Sequence, residues 1–218
     1  MAYAKSGITS NTARNIAFGA GVYAQNLPWD TVPTPEQVKS GLIGATNGGG
    51  KVIIKPNVKP LELDGMLVAV KKMEQKSGET AEMETNMAEV SVDYLAKAVI
   101  GTASETEDGK FHVIESKAKI EDEDYYTGWG YIGQMLDGRA LMVIFKNART
   151  TEGLEFETKN GEQVTIPAKV ACYSDDAEGD DLEKLPYRIY IEKDGAMEPA
   201  TAEEIGEEVP AYDPDATE

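Results

Sequence analysis

The sequence predicts a mainly β protein: an antiparallel β-sandwich or barrel with one packed α-helix and a long arm. Three observations lead there. Val164, Ile166, Ala168, Val170 and Cys172 alternate with Thr165, Pro167, Lys169 and Ala171, the period of a strand with one face inward. Tyr187, Ile189 and Ile191 alternate in the same way with Arg188, Tyr190 and Glu192. Leu141-Met142-Val143-Ile144-Phe145 is a short continuous apolar run, suited to a strand buried on both faces.

Taken in order, the first 60 residues are rich in Gly, Pro, Asn and Thr, with Leu27-Pro28-Trp29, Pro33, Pro35 and Gly48-Gly49-Gly50 before Val52-Ile53-Ile54. They read as an extended arm with short strands. Trp29, an apolar anchor beside a proline, is expected either folded back on its own core or docked on a neighbour. Met66 to Met73 reads as a strand, and Ser77-Gly78 as the turn after it. A helix is expected over 86–100, with Asn86 as N-cap, Glu89 completing a capping box and Gly101 ending it. Met87, Val90, Tyr94, Leu95 and Ala98 would form its apolar stripe. Further strands are expected over Phe111–Ile120, Arg139–Lys146, Leu154–Thr158 and Gln163–Tyr173, with Pro167 marking an edge or a bulge because it has no N–H. Residues 61–195 thus form the β core. Residues 196–218 carry eight acidic residues and no Lys or Arg, and are expected to stay disordered or loosely attached.

Charge excludes one class and suggests another. The formal charge is −18 over 218 residues, which argues against a sequence-reading nucleic-acid binder, since phosphate contacts need clustered Lys and Arg. The first 60 residues hold six basic and two acidic residues, a balance of +4 that leaves −22 for the remainder. Opposite signs in two parts of one chain can attract each other across copies. No apolar run is long enough for a transmembrane helix, and Met1–Ala20 lacks the apolar core of a secretory signal, so no membrane anchoring is expected. The lone Cys172 allows no internal disulfide.

Signals for chemistry are weak. His112 is the only histidine and sits in a strand pattern, 60 residues from Cys172. Glu121-Asp122-Glu123-Asp124 and Asp175-Asp176-Ala177-Glu178-Gly179-Asp180-Asp181 offer carboxylates to calcium, but neither has the spacing of a calcium loop; solvated loops are expected there. Gly44 and Gly49 have the glycine spacing of a phosphate-binding loop, yet Gly50 stands at the lysine place, so nucleotide binding is not expected. No catalytic, cofactor or metal residue is assigned, and no enzyme activity is expected.

Several short phrases follow one another in a telling order. Phe18-Gly19-Ala20-Gly21-Val22-Tyr23 precedes Gly44-Ala45-Thr46-Asn47-Gly48-Gly49-Gly50, and then comes Leu61-Glu62-Leu63-Asp64-Gly65. Thr85-Asn86-Met87-Ala88-Glu89, Glu123-Asp124-Tyr125-Tyr126, Asp137-Gly138-Arg139, Phe145-Lys146-Asn147-Ala148 and Lys184-Leu185-Pro186-Tyr187-Arg188-Ile189 complete the series. In this order, over residues 10–195, the chain resembles the major tail protein, or tail tube protein, of long-tailed bacteriophages. The resemblance implies a β-sandwich with one helix, assembled as hexameric rings stacked into a hollow tube that passes DNA without specific binding. It also implies a virion tail location after synthesis in the host cytoplasm, tape-measure and tail-tip partners, a sheath if the tail contracts, and no cofactor. The inter-subunit contacts expected on this reading are Trp29, Lys39, Lys51, Lys55, Lys59, Asp64 and Gly65. A β-sandwich interaction module of a virion or cell surface that forms no tube is the alternative.

Overall fold

A computed structural model describes residues 12–65, 67–156, 158, 160–161, 163–175 and 183–193. The strands are β1 (Ala17–Ala24), β2 (Thr46–Pro60), β3 (Glu74–Met87), β4 (Gly101–Glu105), β5 (His112–Ser116), β6 (Tyr126–Met135), β7 (Ala140–Thr150), β8 (Ile166–Tyr173) and β9 (Tyr187–Ile191). The helices are α1 (Pro35–Ser40) and α2 (Val92–Ala98). One antiparallel sheet runs β1-β6-β7-β8-β3-β2, with β9 also on β7, and β4 and β5 form a separate hairpin. The protein is mainly β and antiparallel.

β7 explains its own sequence. It pairs with β6 along one side, and along the other first with β9 at Leu141–Phe145 and then with β8 at Asn147–Thr150. Flanked on both sides and covered on both faces, Met142 to Phe145 are all buried, which is why the run does not alternate. The sheet curls without closing into a barrel. Tyr23 on β1 donates its hydroxyl to the Glu84 carbonyl on β3, and residues 42–45 cross the gap by hydrogen bonds from Ile43 N to Tyr23 O and from Ala88 N to Ala45 O. Inside the curl lie Trp129, Tyr126, Tyr23, Phe145, Met83, Met87 and Val170, with Tyr94 and Ala98 of α2 packed on them. A smaller cluster, Ala24, Leu27 and Ile144, sits on the outer face under Val38 and Tyr190. There Leu27 N donates to Gly128 O, and a Cβ at residue 128 would lie 1.9 Å from the Leu27 carbonyl oxygen. Gly128 also has φ +60, so contact and backbone both demand glycine.

The structure corrects several expectations. Asn86 does not cap a helix; Asn86 and Met87 end β3, held by Pro167 and Ile166 of β8 on one side, while Thr46 of β2 pairs with Met87 on the other. The helix begins six residues later than expected, where the Ser91 side chain accepts from Tyr94 N, and Ile100, not Gly101, takes the left-handed conformation after it. Tyr94, Leu95 and Ala98 still face the core, but Val90 is exposed. Residues 67–73 are a loop and not a strand, and Met66 lies outside the described residues. Ser77-Gly78 is no turn: Ser77 is the extra residue of a bulge within β3, between the Asn57–Gly78 and Val58–Lys76 pairs. Residues 154–156 and 158 belong to no strand, and the strand expected to end at Ile120 stops at Ser116. In β9 the inward parity holds at Tyr187 only: Ile189 and Ile191 are exposed, while Tyr190 packs against the outer-face cluster. Of the expected arm over residues 1–60, the described part carries β1 and β2 of the main sheet with α1 between them, and residues 1–11 lie outside the described residues. Pro167 does sit at a local edge. β7 pairs with β8 only as far as Val170, and the Pro167 carbonyl accepts from Tyr94 Oη. The tail at 196–218 lies outside the described residues.

Candidate assembly surface

β3 is paired with β8 only over Glu82–Met87, yet its pairing with β2 continues outward to Pro60–Glu74. The last attachment to the body is Glu79, whose carboxylate accepts from Leu185 N at 2.6 Å and pairs with Lys76 at 2.6 Å. Burial alone would raise its pKa, but these two donors outweigh burial and hold the carboxyl below its usual range. Beyond Glu79, among the described residues, the two strands pair only with each other, out to residues 61–65 and 67–73. Leu61 N to Met73 O and Met73 N to Val70 O close the tip.

That tip is apolar and wet. Leu67 is 95% exposed and Val68 73%, with Val58, Leu61, Leu63 and Val70 also exposed. Several exposed apolar residues on one short ribbon make it a candidate contact surface, unlike single surface leucines. Charge adds direction: residues 51–76 hold six lysines and three acidic residues, on a chain of net −18. Lys55, Lys59, Lys71 and Lys72 are exposed, while Lys51 pairs with Glu84 at 3.7 Å. The outer edge of β2 carries Pro56 and Pro60 among its lysines, features that discourage strand addition there. Contact through the tip is what this chemistry favours.

The expected contacts fall in two groups. Lys51, Lys55, Lys59, Asp64 and Gly65 come together on this one hairpin, with Gly65 at φ +84 in its loop. Trp29 and Lys39 do not join them. Lys39 is exposed in the last turn of α1, which opens with a capping box between Thr34 and Gln37. Trp29 is folded onto its own chain: the Arg188 guanidinium lies 4.2 Å from its ring centre, and Arg188 Nη1 donates to the Trp29 carbonyl. Leu61, Leu63, Leu67, Val68, Val70, Lys71 and Lys72 were not among the expected contacts. Their apolar spacing resembles that of a strand, but the described residues leave them exposed.

The places considered for other chemistry resolve into structure. Lys117 Nζ sits 3.0 Å from carboxylates of Glu121, Glu123 and Asp124, so the first acidic cluster already encloses a cation of its own. Loss of water would lower the Lys117 pKa, but the three carboxylates raise it overall. Asp175 accepts from Lys146 and Asn147, which hold its carboxyl below the usual range; residues 176–181 lie outside the described residues. His112 is exposed on β5, with Glu105 at 3.7 Å, whereas Cys172 is buried in the main sheet with its thiol pushed up to about 12 by burial and then by Glu79. Gly48 to Gly50 belong to β2 and lead to no helix. Among the described residues no group of three or more His, Cys, Asp or Glu is arranged to hold a metal ion, and no helix is long and apolar enough to cross a membrane.

Fold and surface together define a mainly β antiparallel protein with a projecting, basic, apolar-tipped hairpin. No protein-family model and no curated protein matches the chain.

Proposed function

We propose that this chain is the structural subunit of a phage tail tube, self-assembling into stacked hexameric rings that form a channel for DNA. The observation that carries the proposal is the hairpin beyond Glu79, whose apolar tip is exposed among the described residues. A second copy supplies the cover, with the acidic body of one subunit receiving the basic hairpin of the next. A repeated head-to-tail contact of this kind builds rings or filaments according to whether its rotation closes. Among the described residues the outer edge of β1 has no strand partner ahead of the Ala24–Leu42 bridge, and an in-ring neighbour would meet along it. The net negative charge lets DNA pass without phosphate partners. On this reading the protein is made in the host cytoplasm and ends in the virion tail, beside tape-measure and tail-tip proteins.

Negative-stain microscopy of the concentrated protein tests the reading. Six-fold rings or tubes are expected, and they should vanish in a Leu63→Ser, Leu67→Ser, Val68→Ser triple variant that keeps its fold. Monomers at every salt concentration, with a tape-measure partner present, would refute it. A stable complex with another virion or cell-surface protein, without self-assembly, would favour the interaction-module alternative.

A further inference from the structure

Trp129 and Tyr126, stacked in the core, carry polar atoms that the fold leaves unanswered. Trp129 is 1% exposed and Tyr126 2%, and among the described residues neither the Trp129 indole Nε1 nor the Tyr126 hydroxyl has a hydrogen-bond partner. The Thr150 hydroxyl stands near that of Tyr126, yet it too is buried without a hydrogen bond of proper geometry. Buried donors left with nothing to meet are costly, and native cores hold few of them. Both side chains line one cavity of about 60 Å³, whose other walls include Gln25, Ile43, Ser91 and Asp93. It lies at the seam of the curl, where the chain leaving β1, the crossing at 42–45 and the first turn of α2 meet β6. We infer that this cavity is a binding site for buried water, which joins Trp129 of β6 to Asp93 of α2 and so fills the seam.

Size limits the occupant. At about 30 Å³ of liquid volume per molecule, the space holds about two waters. Sites for organic ligands begin at about 300 Å³. Chemistry then chooses among small occupants. A bare cation would meet the N–H groups of Trp129 and of Gln25, whose Nε2 donates to Asp93 Oδ2 at 3.5 Å. An anion would meet the Asp93 carboxylate. Water satisfies both kinds of wall, accepting from the indole and donating to the carboxylate or to the tyrosine oxygen. Asp93 has capacity to accept, since its contacts with Gln25 Nε2 and Lys97 Nζ are long, at 3.5 and 3.4 Å. Its charge also reaches the Tyr126 hydroxyl: burial pushes that pKa up, Thr150 pulls it down, and Asp93 adds to the rise. Cavities that stay dry are lined by apolar groups alone, and this one is not. Nothing in the site depends on assembly.

The full chain carrying Leu63→Ser, Leu67→Ser and Val68→Ser suits the test, because these changes lie on the hairpin and none lines the cavity. Its crystals should show ordered water within hydrogen-bond distance of Trp129 Nε1. In solution, with ¹⁵N-labelled tryptophan, the Trp129 indole proton should give water NOE and ROE peaks of opposite sign, as a held water does and proton exchange does not. Tyr126→Phe should keep these peaks, since Trp129 and Asp93 still hold the water, and Asp93→Ala should weaken them severalfold. An empty cavity, or an indole N–H turned to a protein acceptor, would overturn the inference. So would peaks that vanish with the Tyr126 hydroxyl, or peaks indifferent to Asp93→Ala.

Discussion

Trp129 and Leu67 are both large apolar residues of one chain, and they occupy opposite extremes. Trp129 is 1% exposed, packed against Tyr126 with ring centres 4.7 Å apart, and Leu67 is 95% exposed at the end of a two-stranded ribbon. The body holds its apolar residues by curling a sheet around them and closing the end with a helix. Among the described residues the hairpin is held beyond Glu79 by the ladder between β2 and β3. Apolar content therefore stands differently in the two regions: in the body it stabilises the fold, and at the tip it stays in water.

Substitutions should separate the two regions sharply. Trp129→Ala or Phe145→Ala removes a fully buried ring and should cost about 3–5 kcal/mol in urea unfolding, enough to threaten the fold. Next comes Gly128→Ala, where a new Cβ meets the Leu27 carbonyl at a positive φ; a loss of about 2–3 kcal/mol is expected in the same measurement. Glu79→Ala sits at the junction of the two regions. It leaves the Leu185 N–H without its acceptor and should cost about 1–2 kcal/mol, and amide exchange should show the hairpin loosening more than the body. At the small end, Leu67→Ser and Val68→Ser should change stability by no more than about 0.5 kcal/mol each. A tip variant that destabilises as much as Phe145→Ala would erase the distinction between the regions.

pH probes the same division. The carboxyls of Glu79 and Asp175 titrate below their ordinary values in the folded chain. Their contribution is therefore present above the ordinary carboxylate range, and is lost as pH falls through the lowered folded values. Acid should loosen the hairpin's anchor and the end of β8, followed by amide exchange between pH 5 and 3. Alkali should act on the body. Burial pushes Tyr23 and Tyr94 up to about 12, so their contribution is intact below 10 and fades as pH rises from 10 to 12. Part of the tyrosinate absorbance should then appear only as pH rises beyond 10 toward 12. A single step near 10 would contradict the packing around both rings.

The readable parts of the sequence were those whose signal is local. The run Leu141–Phe145 and the alternation from Ile166 to Cys172 declared β7 and β8, and Pro167 declared the place where β8 outruns its neighbour. Asn86 was misleading because Asn-x-x-Glu carries the same letters in a strand as at a helix start. Its state is decided by Pro167, some eighty residues on, and such pairing leaves no local mark. Leu67 to Val70 misled in the opposite sense, since apolar spacing reports what a segment would bury and not whether anything covers it. The positive charge of the early chain was legible, and folding concentrates it on the hairpin by adding Lys71, Lys72 and Lys76 to Lys51, Lys55 and Lys59.

Cys172 offers a use beyond its place in the core. It is the one thiol of the chain, 6% exposed in the middle of the sheet, and its raised pKa keeps it protonated. A thiol-specific reagent can reach it only when β8 parts from its neighbours. Its labelling rate is thus a clock for opening of the whole sheet, indifferent to whatever the hairpin does. If assembly engages the tip alone, the clock should run at the same pace in the free and assembled protein. If assembly also seals the sheet edges, it should slow.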